Sequence, residues 1–296
     1  MAPDRYLRPM QLAKPVTQHP PVDATSRNLA SRYGQELSRL FQRFVRANRR
    51  ICMQYTPAHY RESNVFSMYT KIASILFAQS SISRVVDSGA GKRWRFPSDY
   101  KRRFDLHLIG VDIDFAEMAM NDALDEKYVS DVCKSIPVAP GSVDLITADS
   151  GLEHFEDTGK FLQQCFSALR PGGLCIAQFP GRYAPFAVLN RCLPHRVTKF
   201  LLANLRPGSE GALGFRAYYD RTNYSAFVRM AKTSGFEVEY YLPGFFSSGY
   251  FAFFIPIYIV SIFFDLLRFS AGAKNLASYN LFVLRKPGPS DGIIYS

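Results

Sequence analysis

The sequence is poor in the side chains that hold metals and disulfides. Its five cysteines (Cys52, Cys133, Cys165, Cys175 and Cys192) are scattered and form no C-x-x-C pair. They make neither a zinc ribbon nor a disulfide framework and point to a reducing compartment. There is no H-E-x-x-H and no acidic cluster, so no metal is expected. Acids are scarce overall, 25 against 36 lysines and arginines, which leaves a net charge of +11. That excess suits an anionic partner: nucleic acid, an acidic membrane surface or an anionic substrate. The starting residues carry no apolar run, so no secretory signal is expected and the expected placement is cytoplasmic. The Arg-rich first fifty residues keep a transit peptide open as a weaker alternative. No apolar run reaches the roughly twenty residues of a spanning helix. The strongest, Tyr250–Phe264, is interrupted by Pro256.

What is present is organised around Arg84-Val85-Val86-Asp87-Ser88-Gly89-Ala90-Gly91. A short β-branched run ends in an acid and two alternate glycines, which reads as a buried strand breaking into a tight turn. Glycine suits such a turn because a Cβ would meet a ligand lying on the backbone or forbid a positive φ. About twenty residues on, His107-Leu108-Ile109-Gly110-Val111-Asp112-Ile113 is a second apolar strand with an acid at its tip. That acid is placed to grip a pair of ribose hydroxyls.

Residues 1–22 hold several prolines without periodicity and are expected to be a disordered arm. N-terminal helices should fill 23–80: one from Asp23, striped by Leu29, Tyr33, Leu37, Leu40, Phe41, Phe44 and Val45, and a second over Asn64–Gln79. After the first two strands, Lys127–Val132, Val143–Ala148, Leu174–Phe179, Phe236–Leu242 and Asn280–Leu284 read as five more. Helices are expected over Thr158–Leu169, which stops at Arg170-Pro171-Gly172-Gly173, and over Tyr224–Ser234. Strands alternating with helices mean an α/β fold with a doubly wound, mostly parallel sheet.

In this order the segments VVDSGAG, GVDID, SDVCKSIPVAPGSVDLI, DSGLEHFED and LRPGGLCIAQFP resemble the class I S-adenosylmethionine-dependent methyltransferases. The likeness is to the ubiquinone-methyltransferase-like group and covers roughly residues 82–180. It implies a Rossmann-like seven-stranded sheet, six strands parallel and the seventh antiparallel, over residues 81–290. It also implies S-adenosyl-L-methionine as cofactor. Asp87, Gly89 and Gly91 would lie beside its methionyl part, Asp112 on the ribose hydroxyls and Ile113 on the adenine face. Asp131 would accept from the adenine amino group with Val132 nearby, and Ser150 would border the sulfonium. One departure is Lys92-Arg93-Trp94-Arg95-Phe96-Pro97, where relatives run into a helix; Pro97 and the charge predict a loop or a shortened helix.

Methyl transfer from a sulfonium needs a positioned nucleophile, and a hydroxyl acceptor benefits from a base. His154, just past the fourth strand at the sheet's carboxyl edge, is the candidate catalytic base. Two insertions, Arg182–Thr222 and Pro243–Asn275, should cover the acceptor side. The first carries an amphipathic basic segment (Leu189, Leu193, Val197, Phe200 and Leu201 against Arg191, Arg196 and Lys199). The second is apolar and reads either as a helical hairpin dipping into one leaflet or as a buried lid. The expected function is O-methylation of an apolar or lipid-linked small molecule or glycan, peripherally at the inner face of an anionic membrane. An RNA methyltransferase is the alternative, but there is no N-P-P-Y-like tetrad and no RNA-binding module, so nucleic acid is not expected as a partner. A non-catalytic membrane-associated relative is the third reading.

Overall fold

Seven short apolar runs pair into one twisted sheet in the computed structural model, which describes residues 24–56, 60, 64–205 and 217–288. The expected arm at 1–22 lies outside the described residues, as do Phe215 and Arg216 of the first insertion. The chain divides into two units, Met1–Arg43 and Phe44–Ser296, with the boundary inside helix α1 (Ala24–Gln54). The described part of the first unit is helical. The second holds the sheet.

The strands are β1 (Arg84–Ser88), β2 (His107–Asp112), β3 (Glu126–Val129), β4 (Val143–Asp149), β5 (Leu169–Pro180), β6 (Glu237–Gly244) and β7 (Tyr279–Arg285). Their order is β3-β2-β1-β4-β5-β7-β6, with β7 antiparallel to both neighbours and the rest parallel. Six parallel strands and one antiparallel match the expected fold class. The central strands are apolar on both sides because helices cover both faces. One face buries Tyr69, Ala73 and Phe77 of α2 (Val65–Phe77) and Met118 of α4 (Phe115–Ala119). A five-residue α3, Asp99–Arg103, precedes β2. The other face buries Phe161, Leu162 and Cys165 of α5 (Thr158–Ala168) and Phe227, Met230 and Ala231 of α8 (Tyr224–Thr233). Helix starts follow local chemistry: Asn64, Asp114 and Asp157 each cap a first turn by accepting a backbone N–H.

Three segments differ from the sequence expectation. β3 stops at Val129 rather than reaching Val132, because Asp131 Oδ1 accepts the Cys133 N–H at 3.0 Å and peels the chain off in a turn. β5 begins at Leu169 rather than Leu174, so Pro171-Gly172-Gly173 lies inside the strand, where its pairing with β4 shifts register. Gly173 is needed there, since a Cβ would sit 2.9 Å from the Arg170 carbonyl oxygen. The second insertion is not a helical hairpin. After a 3₁₀ turn (Ser248–Phe251) it forms one helix, called α9 below, over Ile255–Ser270. Pro256 opens that helix rather than breaking it, because a first-turn proline gives up no intrahelical bond.

The first insertion folds as α6 (Pro185–Cys192) and α7 (His195–Leu205). Both insertions leave from one edge: Tyr279, at the start of β7, pairs with Pro180 at the end of β5 and Gly244 at the end of β6. Among the described residues no helix is long and apolar enough to cross a membrane.

Candidate functional site

The turn after β1 is bare backbone held open by hydrogen bonds. Gly89 has φ +74° with nothing within 4 Å of where a Cβ would stand, and its N–H donates to the Val111 carbonyl at 2.8 Å. Gly91 follows at φ +47° and donates to Asp112 Oδ2 at 2.9 Å. Asp112 Oδ1 accepts the Asp114 N–H at 2.9 Å, so this carboxylate ties the glycine turn to the tip of β2. Asn121, fully buried, clamps the turn from below: its side chain donates to the Ala90 carbonyl at 3.0 Å and accepts from the Trp94 N–H at 3.2 Å.

The expected site residues line one edge. Asp87, Gly89 and Gly91 sit at the end of β1 beside Asp112 and Ile113 at the end of β2. The side chain of Ile113 is 60% exposed, a small apolar shelf next to the Asp112 carboxylate. Asp131 and the buried Val132 come next, after β3; the neighbouring Ser130 N–H donates to the Asp112 carbonyl at 2.9 Å. The Asp131 carboxylate is occupied by its own turn and by Lys134 at 3.3 Å. On the other side, Ser150 follows β4 with φ +55°, and its hydroxyl donates to Gln178 at 2.8 Å. A non-glycine residue in that region is strained, which is common where a site is preorganised. His154 is half-buried in the 3₁₀ turn Leu152–His154 that follows β4 and packs toward β5.

Asp87 is half-buried at this edge. Burial pushes its carboxyl up to about 7; the Thr147 hydroxyl, donating at 2.7 Å, opposes the rise, and repulsion from Asp149 and Asp112 adds to it. Three carboxylates on one sheet edge favour a ligand with positive charge and hydroxyl groups to donate.

Arg95, in the expected basic loop, meets this edge at Asp149. It pairs with Asp149 and its guanidinium lies 5.7 and 5.6 Å from the ring centres of Phe66 and Tyr69. The expected loop is present: Lys92–Ser98 is not helical, and Trp94 and Phe96 turn inward onto Phe77. Asn121 had no sequence signal. Among the described residues no cluster of metal-ligating side chains occurs.

Residues 86–177 match a family model described as a methyltransferase domain. A probable S-adenosylmethionine-dependent methyltransferase of Mycolicibacterium smegmatis is 27% identical over 172 residues, 56% of each chain. An uncharacterized methyltransferase of Mycobacterium sp. strain KMS is 30% identical over 38% of this chain and 44% of that protein. The chain thus spans about half the length of the curated relatives it matches. Among solved structures, an S-adenosylmethionine-dependent methyltransferase from Mesorhizobium loti aligns at TM-score 0.47 and 17% identity, over 75% of this chain and all of that one. Haemonchus contortus phosphoethanolamine N-methyltransferase 2 aligns at TM-score 0.47 and 19% identity, over 75% of this chain and 52% of that one.

Proposed function

We propose that this chain, whose residues 86–177 are a class I S-adenosylmethionine-dependent methyltransferase domain, methylates an oxygen of an apolar or lipid-linked acceptor at an anionic membrane surface. The residues fit the donor. S-adenosylmethionine carries a sulfonium and an ammonium, which suit the carboxyl groups of Asp87 and Asp112, and a ribose diol, which suits Asp112. Gly89 and Gly91 leave room for its methionyl part, Ile113 offers an apolar face to the adenine, and Asp131, Val132 and Ser150 flank the same edge. When bound, the donor supplies an activated methyl group. The protein's task is then to orient an acceptor and hold water away.

The acceptor class rests on the outward face of α9. The inner side of that helix is spoken for: Tyr258 bonds Thr56 and the Cys52 carbonyl, and Asp265 is buried. Yet its outer side is also apolar, with Ile257, Ile259, Val260, Phe263, Phe264 and Leu267 exposed, Ile259 and Phe263 by 61% and 63%. A helix apolar all round belongs against something apolar.

Charge selects an anionic leaflet. Asp265 is the one acid between Glu239 and Gly288, and it is buried. Arg191, Arg196 and Lys274 remain exposed on the two insertions. Arg268 turns inward to Asp265 and the Phe245 and Leu276 carbonyls. Three exposed cations near an anionic leaflet contribute about 1 kcal/mol each.

Flotation with vesicles of phosphatidylcholine and phosphatidylglycerol tests this reading. Wild type should float at low salt. Val260→Asp with Phe263→Asp should stay at the bottom while binding S-adenosylmethionine normally by calorimetry. Wild type that never floats would favour a lid over a soluble apolar acceptor.

A further inference from the structure

We propose that the Glu153 carboxylate is the group that takes the proton from the acceptor's attacking hydroxyl. The inference rests on the methyltransferase reading. In the step, the acceptor O–H bond breaks and its proton passes to Glu153. The freed oxygen pair forms the bond to the methyl carbon, the carbon–sulfur pair stays on sulfur, and Glu153 later yields its proton to water.

Position is the first argument. Glu153 lies in the turn after β4, between the donor edge and the acceptor-side insertion. Two residues before it, Gly151 runs over the end of β1, where a Cβ would stand 3.9 Å from the Ser88 carbonyl oxygen. On its other side the returning segment of the first insertion sits directly on it: the N–H groups of Tyr218 and Tyr219 both donate to the Glu153 carbonyl, at 2.7 and 3.0 Å. Tyr219 is buried and held at φ +51°, so a strained residue of the insertion is pinned to this one backbone oxygen.

The side chain is the second argument. Glu153 Oε2 is sealed from solvent and has no hydrogen-bond partner. A buried carboxylate oxygen left without a donor is costly in a stable core and common where a group must receive a proton. Its charged neighbours are few. Asp149, at the end of β4, repels it, and the Tyr219 phenol faces it from the insertion; Asn190, Arg191 and Tyr250 act on Tyr219 in turn. Burial, with Asp149 adding, raises the Glu153 carboxyl to about 7, while its own backbone N–H pulls it down. A base is most effective when it titrates near the working pH.

The test follows the carboxyl itself. Protein labelled with carbon-13 at glutamate carboxyls is titrated by NMR as wild type, Glu153→Gln and His154→Asn, each loaded with S-adenosylhomocysteine, with and without excess phenol as a hydroxyl probe. We expect one resonance, absent from Glu153→Gln and retained in His154→Asn, that titrates within about one unit of pH 7 and moves when phenol is added. Titration at the ordinary glutamate value, or a resonance indifferent to phenol, overturns the proposal. Should Glu153→Gln fail to fold, Glu153→Asp supplies the assignment by removing the same resonance, since the aspartate carries no label. Calorimetric binding of S-adenosylhomocysteine on the same samples reports separately: its absence removes the methyltransferase reading, whatever Glu153 does.

Discussion

Replacing Asp265 with asparagine should unfasten the second insertion. Asp265 is 1% exposed and accepts five hydrogen bonds. Its Oδ2 receives the Ser247 N–H at 3.0 Å, the Ser248 N–H at 2.9 Å and the Ser248 hydroxyl at 2.7 Å. Its Oδ1 receives the Ser247 hydroxyl at 3.1 Å and the Arg268 guanidinium. Arg268, 12% exposed at its side chain, also holds the Phe245 and Leu276 carbonyls, so one ion pair fastens the end of β6, the 3₁₀ turn and α9 together.

Asparagine keeps the shape but not the charge. Its amide N–H₂ would face the Arg268 guanidinium and the Ser247 hydroxyl, leaving a buried cation unpaired. Breaking such a pair costs about 3–5 kcal/mol, which for a chain of this size lowers Tm by about 6–20 °C. Where α9 melts apart from the sheet, limited proteolysis should cut within 245–278 before the global transition. Asp265→Leu with Arg268→Met, which removes both charges, should recover part of the loss. A change below about 1 kcal/mol in denaturant melts, with α9 as protease-resistant as in wild type, would refute the reasoning.

Other outcomes follow from the same geometry. Asp112→Ala should weaken S-adenosylmethionine binding at least about tenfold, or 1.4 kcal/mol, with the far-ultraviolet spectrum unchanged; unaltered affinity would remove the ribose role. Gly181→Ala would place a Cβ 2.1 Å from the Ala277 carbonyl oxygen, so it should cost about 1–3 kcal/mol in urea unfolding, and a neutral result would mean this crossing of β5 and β7 is loose. Asp87 and Glu153 are both raised to about 7 when folded, whereas unfolded carboxyls titrate near 4. Between those values the folded chain keeps protons that the unfolded chain has lost, so these two groups make stability fall as pH rises from about 4 to 7 and then level off. Asp87→Asn and Glu153→Gln should therefore gain stability relative to wild type at pH 8 compared with pH 5, measured without donor. Equal differences at both pH values would contradict the burial argument.

Local pattern determined most of the sheet. Strands such as β1, β2 and β4 are nearly continuous β-branched and aliphatic runs, because a parallel sheet covered on both faces must be apolar on both sides. The turn after β1 was legible for the same kind of reason: Gly89 and Gly91 are demanded by positive φ, and Asp112 stands at a strand tip, both short-range properties. Tertiary packing decided the rest. Nothing in Leu169–Gly173 announces a strand until β4 and β7 lie beside it. Pro256 reads as a break or a beginning depending on where the chain enters the helix. Arg268 reads as a surface cation until Asp265, three residues away, is buried beneath it. Sequence pointed to His154 and passed over its neighbour Glu153; only the fold sets a returning segment against Glu153 and seals its free oxygen, because desolvation is a property of what surrounds a residue and not of its neighbours in sequence.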